Sequence, residues 1–353
     1  MKPTILLPRG PRRHFLPVAL LLTGLLLLAA CGKGASPAAE SGSAEPAQEA
    51  AANPTEPSAP AETSSGNQAV EGEAAGSGED GEAAPVPQRI AALSTNVAEI
   101  ALQIAGPERI IVIGRNALNP ALSNHADLAQ EVPNVIPDGA SLDPEQVLAY
   151  EPDLILLTAR LGAEKDAIAV FEAAGVPTLS FSDWSSIAAF QENMLAIGDA
   201  LGPESAAKAR ELVDEMNRRL AEIESRVPKV DNPPSVLMIS NQAQRPLLAG
   251  PDSLSYELIQ RAGAVPAVDR LGLTRSVPAD VEQIMQADPD YLLLVDVLGR
   301  GEDSFRELME SPGMETVKAV KNGNVRLVPA RNFYSANTGL VEGLAELVEW
   351  LYP

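Results

Sequence analysis

The sequence predicts an α/β protein made of two lobes, each built on a parallel sheet, joined by one long rigid α-helix. Three observations lead there. Short apolar runs alternate with helical patterns through residues 88–353, the signature of strand–helix–strand units. A segment reading DPEQVLAYEPDLILL at 143–157 returns without a gap as DVEQIMQADPDYLLL at 280–294, an offset of 137 residues. Between these copies lies a single unbroken helical pattern over 203–228.

Taken in order, residues 1–30 have the layout of a secretion signal. Lys2, Arg9, Arg12 and Arg13 precede an apolar stretch from Phe15 to Ala30, which is shorter than the roughly 20 residues of a membrane span. Leu28-Ala29-Ala30-Cys31 resembles the lipobox of bacterial lipoproteins. Cys31 is therefore expected to carry the lipid, although a chance cysteine beside an ordinary cleavage site would read the same. Arg12-Arg13-His14-Phe15-Leu16 also resembles a twin-arginine export signal, which leaves the export route open.

Residues 31–87 are expected to form an acidic tether. From Gly32 onward they hold ten Asp and Glu against Lys33 alone, with Val70 and Val86 the only branched apolar residues. Such a segment buries too little apolar surface to offset its ordering entropy.

The N-terminal lobe, 88–202, has strand patterns at 90–93, 110–113, 154–157 and 178–181, with helical patterns at 97–105, 143–149, 164–174 and 188–201. Gly202-Pro203-Glu204 then starts the long helix, with Pro at its first position and an acid in its first turn. Ala209, Leu212, Val213, Met216, Leu220 and Ile223 mark one helix face. The C-terminal lobe, 229–353, has strand patterns at 236–239, 291–295 and 325–328, with helices at 253–262, 279–287, 304–309 and 340–351.

Composition excludes several functions. The chain of 353 residues has 48 Asp+Glu, 26 Lys+Arg and a net charge of −22, the wrong sign for a phosphate backbone. One Cys excludes an internal disulfide, and two His, one of them in the leader, are too few for a His-rich metal cage. There is no P-loop, G-x-S-x-G elbow, H-E-x-x-H or strand-linked G-x-G-x-x-G, so no enzyme, cofactor or resident metal is expected.

Anchor, tether, lobe, helix and second lobe together resemble the class III periplasmic-type substrate-binding proteins of ABC importers, in lipoprotein form. That family delivers vitamin B12, haem and ferric siderophores. The most specific segments are Arg89-Ile90-Ala91-Ala92-Leu93-Ser94 with Ala98-Glu99-Ile100, the two repeated units, and Trp184-Ser185-Ser186-Ile187. The resemblance implies an extracytoplasmic, membrane-anchored monomer that hands its ligand to a permease dimer with its ATPase. It also implies that Glu145 and Glu282 dock one on each permease subunit. The helix dipole alone would favour an acid at both positions equally well.

Ligands of open parallel sheets bind beyond the carboxyl ends of strands. Here those ends are Ser94-Thr95-Asn96, Arg115-Asn116, Thr158-Ala159-Arg160, Ser240-Asn241-Gln242, Asp296 and Arg331-Asn332-Phe333-Tyr334, with Arg245 and Arg300 a few residues on. The expected ligand contacts are Asn96, Arg115, Arg160, Asn241, Arg331 and Tyr334. Guanidinium forks suit carboxylate and catecholate oxygens, so an anionic ferric siderophore is the expected cargo; pairing of the same arginines with surface acids is the plainer alternative. Haem is the rival, with His125 or a Tyr as its axial ligand. Cobalamin, or a ligand-sensing lipoprotein without transport, are the others.

Overall fold

The computed structural model describes residues 85–242 and 246–353. Cys31, the leader, most of the 31–87 tether and Arg245 lie outside the described residues. No helix of the described residues is long and apolar enough to cross a membrane.

The first lobe carries five parallel strands: β1 Ile90–Ala92, β2 Ile110–Gly114, β3 Asn134–Ile136, β4 Leu154–Thr158 and β5 Thr178–Phe181. Their order is β3-β2-β1-β4-β5, so the winding reverses at β1, between β2 and β4. Its helices are α1 Thr95–Ala105, α2 Ala126–Ala129, α3 Pro144–Leu148, α4 Gly162–Ala173 and α5 Ile187–Ala200. Central strands β1 and β4 are wholly buried, as sheets covered on both faces require.

The linking helix α6 runs Pro203–Ser225, about 34 Å at 1.5 Å per residue. Arg226 is its C-cap, so it stops short of the Pro228 expected from sequence. Its buried face is Ala206, Ala209, Val213, Met216, Leu220 and Ile223, while Leu212 is only half-buried. Helix α5 approaches closely at Gly198, where a Cβ would stand 2.7 Å from the Ala209 methyl.

The second lobe has β6 Ser235–Ser240, β7 Leu247–Leu248, β8 Val265–Pro266, β9 Val277–Pro278, β10 Tyr291–Asp296 and β11 Val325–Pro329. Its helices are α7 Leu254–Arg261, α8 Val281–Ala287, α9 Arg306–Met309, α10 Lys318–Lys321, α11 Ala330–Phe333 and α12 Leu340–Leu351. The core β11-β10-β6 is parallel and β8 pairs with β6 in parallel, but β7 runs antiparallel to both β6 and β9.

One apolar core crosses from lobe to lobe. Leu102 of α1, Phe190 and Ile197 of α5, Met216 and Leu220 of α6, Leu258 of α7 and Leu344 and Leu347 of α12 belong to a single buried cluster. Each such side chain contributes roughly 1.5–3 kcal/mol, so the lobes are joined along this seam by burial as well as by chain connectivity. One smaller cluster fills the outer layer of each lobe.

The repeated segment has a physical reason in each lobe. Asp143 accepts the Glu145 N–H at 3.0 Å, and Asp280 accepts the Gln283 N–H at 2.8 Å, starting α3 and α8. A residue of positive φ follows each helix, Glu151 at φ 53° two residues past the C-cap of α3 and Asp288 at φ 36° as the C-cap of α8, immediately before Pro152 and Pro289. The Asp after each Pro then caps the neighbouring central strand. Asp153 takes the Gln88 and Arg89 N–H groups at 2.7 and 2.9 Å, ahead of β1. Asp290 takes the Ser235 N–H and hydroxyl at 2.9 and 2.7 Å, at the start of β6.

Candidate functional site

A cleft of about 470 Å³ opens between the lobes at the carboxyl ends of the strands. On the first-lobe side it is lined by the start of α1 (Ser94, Thr95, Asn96), Asn116 after β2, Asp138 after β3, Thr158 at the end of β4 and Arg160 after it; Gln242, Val297, Tyr334 and Ser335 face them from the second lobe. This is the sheet's switch point, where the loops of β1 and β4 leave in opposite directions.

Helix α1 presents its N-terminus to the cleft. Ser94, its N-cap, makes no capping bond, and the first turn holds no acid. The hydroxyl turns instead to Glu164, donating to Oε1 at 3.1 Å, while the Thr158 N–H donates to it at 3.0 Å. Unpaired first-turn N–H groups and the helix dipole both favour negative charge there.

Glu164, 4% exposed, is fully hydrogen-bonded. Oε1 accepts from Ser94 Oγ and from Thr158 Oγ1 at 2.7 Å, and Oε2 accepts the Arg160 and Leu161 N–H groups at 3.0 Å each. The carboxylate thereby fixes the loop that carries Arg160. Asp138 is different. Its Oδ2 accepts the Asn116 N–H at 2.8 Å, but its buried Oδ1 has no partner. Burial pushes its pKa up to about 6, opposed by the Asn116 N–H and by the Arg115 charge and reinforced by Glu164.

The expected ligand residues divide. Asn96, Arg160 and Tyr334 line the cleft. Arg160 and Arg115 are exposed, and among the described residues neither is ion-paired with an acid. Arg115 stands beside the cleft, next to Asn116 and within electrostatic reach of Asp138. The Tyr334 hydroxyl donates to Gln242 Oε1, and burial raises its pKa above the ordinary phenol value, with Arg160 opposing; it is a neutral phenol at physiological pH.

Asn241 and Arg331 are placed elsewhere. Asn241 is 2% exposed; its Nδ2 donates to Asp296 at 2.7 Å and its Oδ1 accepts the Val297 and Leu298 N–H groups at 2.6 and 3.2 Å. That amide joins the ends of β6 and β10 instead of facing the cleft. Arg331 donates through Nη1 to the Pro120 carbonyl at 2.8 Å, and its N–H to the Ala121 carbonyl at 2.7 Å, both in the other lobe. Arg300 is exposed and outside the lining, its N–H donating to Asp296 at 3.2 Å. His125 also lies outside: Nδ1 is 3.3 Å from Oε2 of buried Glu99, which further accepts from Ser123 Oγ and the Asn124 N–H. Among the described residues no three His, Cys, Asp or Glu side chains are grouped to hold a metal ion.

Glu145 and Glu282 occupy the same second helical position of α3 and α8. Both are exposed, and neither is in an ion pair among the described residues. Because each helix returns from the carboxyl edge of its sheet, the two N-termini lie on the cleft-bearing side of their lobes.

Residues 90–332 match the family described as periplasmic binding protein. The chain belongs to the periplasmic binding protein family. Among relatives in that family, the ABC transporter substrate-binding lipoprotein YvrC of Bacillus subtilis is 25% identical over 272 residues, covering 76% of this chain and 81% of its own. The petrobactin-binding protein YclQ of the same organism is 25% identical over 215 residues, 59% of this chain and 64% of its own. Among solved structures of the fold, the periplasmic haem-binding protein RhuT from Roseiflexus sp. RS-1 in apo form superposes with a TM-score of 0.65 at 22% identity, over 75% of this chain and 98% of that one.

The sequence pointed to loops that line the cleft but did not single out Asp138 or Glu164. Asp138 follows β3, a three-residue strand without a periodic pattern. Glu164 sat in plain view at the third position of a helix, where a capping acid is common; nothing local said that its partners would be Ser94 and Thr158.

Proposed function

We propose that this chain is the extracytoplasmic substrate-binding component of an ABC importer, lipid-anchored through Cys31, and that it carries an anionic iron complex of the ferric-siderophore type. In this reading residues 1–30 are removed and 31–87 tether the folded part to the membrane. Lobes 88–202 and 229–353 hold the cargo about the helix of 203–228, and the chain works as a monomer. Glu145 and Glu282 meet the permease dimer, where exposed charge pairs fix register and speed encounter more than they add affinity. The ATPase behind that permease drives uptake.

The observation that carries the choice of cargo is the electrostatic balance of the cleft. Glu164 has its oxygens occupied by four donors and Asp138 is the other acid of the lining, while among the described residues Arg160 is in no ion pair and the first turn of α1 holds no acid. Neutral groups (Asn96, Asn116, Gln242, Ser335) surround them, with Tyr334 the one aromatic ring. Guanidinium and helix N–H groups match catecholate or carboxylate oxygens, and the volume falls within the roughly 300–1,000 Å³ of small-molecule sites. A petrobactin-binding relative supports the same class.

Haem competes through Tyr334, the cleft's one phenol, and through the haem-binding protein that shares the fold. The test is an absorbance titration of the purified protein with a ferric catecholate siderophore, haemin and cobalamin. The proposal expects tight binding of the ferric catecholate, weakened about tenfold or more in Arg160→Ala, the loss of a charge-assisted hydrogen bond. Binding of haemin alone, abolished by Tyr334→Phe, would replace it with the haem reading.

A further inference from the structure

Two joints of opposite character hold the lobes together. One is the apolar seam of α1, α5, α6, α7 and α12. The other is polar and lies at the cleft wall, where residues 119–121 leave the first lobe after the short turn Arg115–Leu118. The Pro120 and Ala121 carbonyls accept the Arg331 guanidinium and N–H at 2.8 and 2.7 Å, and Asn119 Nδ2 donates to the Val297 carbonyl at 3.4 Å. Asn124 continues the contact by donating to Asn337 Oδ1 at 2.9 Å. Leu122 and Val297, on either side of these bonds, both line the cleft.

The segment is a stiff arm and not a loose loop. Behind it, the Asn116 N–H is held by Asp138 at 2.8 Å. Ahead of it, Ser123, Asn124 and His125 converge on buried Glu99. An arm fixed at both ends moves with its own lobe.

We propose that residues 119–121 are a latch across one edge of the cleft, with Arg331 as its keeper, and that the cleft opens by releasing this latch while the apolar seam stays packed. Hydrogen bonds among part-exposed groups each bias an equilibrium by only roughly 2- to 12-fold, whereas parting the seam would expose a continuous core. Opening therefore proceeds at the polar edge. Arg331 acts between the lobes and does not meet the ligand in the closed state.

The structure supplies a direct reporter. Arg331 is in the first turn of α11, where N–H groups have no acceptor within their own helix. Its protection from solvent exchange thus depends on the Ala121 carbonyl. The experiment is hydrogen exchange on the full chain without ligand, comparing the wild type with Arg331→Ala and, separately, Asn119→Ala. A latch predicts that the amide at 331 exchanges well before those of β6 and β10. Either substitution should speed it further, about tenfold for Arg331→Ala, with β6 and β10 unchanged. Exchange at the rate of the sheet core, or no response to either substitution, would show a permanent weld and overturn the proposal. No cargo enters the measurement, so its failure is separate from that of the iron-complex reading.

Discussion

Asp138→Asn should stabilise the protein at neutral pH and leave it unchanged in acid. The carboxyl pKa is pushed up to about 6 from the usual 3.8, so the folded state prefers the protonated form. Below about pH 3 the acid is neutral in both folded and unfolded chains, and the wild type keeps its full stability. As pH rises through the folded pKa, that stability is lost, because the unfolded carboxyl ionises freely and the folded one ionises against burial. At 1.36 kcal/mol per unit, a displacement of this size reaches about 3 kcal/mol above pH 7 as an upper bound. The Asn amide keeps an acceptor for the Asn116 N–H and carries no charge toward Glu164, at the cost of the attraction to Arg115. Urea denaturation of both proteins from about pH 3 to about pH 8 is the assay. The stability difference should be near zero at about pH 3, grow through about pH 4–6 and flatten above about pH 7. A constant difference across that range, or a less stable variant at pH 7.5, would refute a buried, under-bonded carboxyl at the cleft.

Other consequences follow from the same bonds. Glu164→Ala leaves the Arg160 and Leu161 N–H groups and two hydroxyls without their acceptor; it should cost roughly 3 kcal/mol in urea unfolding. The Glu145→Arg, Glu282→Arg double variant should bind the ferric complex with unchanged affinity yet support no uptake in cells. Lost binding in that variant would remove the docking assignment. Burial opposes ionisation of Asp290, but the Ser235 N–H and hydroxyl, Lys318 and Arg270 outweigh it and hold its pKa below the ordinary value. Its contribution is present above the unfolded pKa and lost as pH falls through the folded one, so Asp290→Asn should flatten the acid limb of the thermal stability curve below about pH 4.

Much of the fold was legible because repetition turned a common local pattern into a specific one. A short helix, a Pro-Asp turn and a buried strand occur widely, but two copies at a fixed offset implied two similar lobes. The structure explains why Asp153 and Asp290 recur: each caps the central strand of its sheet. The left-handed residues at 151 and 288 were not legible, since Glu and Asp give no sign of positive φ as Gly would. Strands β3, β7, β8 and β9 were missed for another reason. At two or three residues each they are too short to express a period, and they form only because a neighbouring strand offers an edge.

The site was legible at the level of loops and not of side chains. Strand polarity dictates that the residues after β1, β2, β4, β6 and β11 gather at one edge, and Asn96, Arg160, Gln242 and Tyr334 do meet there. Which way each side chain turns depends on partners far away in sequence. Asn241 is claimed by Asp296 and Arg331 by Pro120, and neither partner is visible from the strand end alone. Charge was the most misleading signal. A chain of net charge −22 is on its face a poor host for an anion, yet Glu164, one of the two acids at the cleft, has its oxygens committed to four donors of the protein. Arg160, by contrast, is in no ion pair among the described residues. At physiological ionic strength charges beyond about 8 Å are largely screened, so under the proposed function a ligand in the cleft would respond to its lining more than to distant surface acids. The cleft's own balance of satisfied and unsatisfied groups therefore decides what it holds.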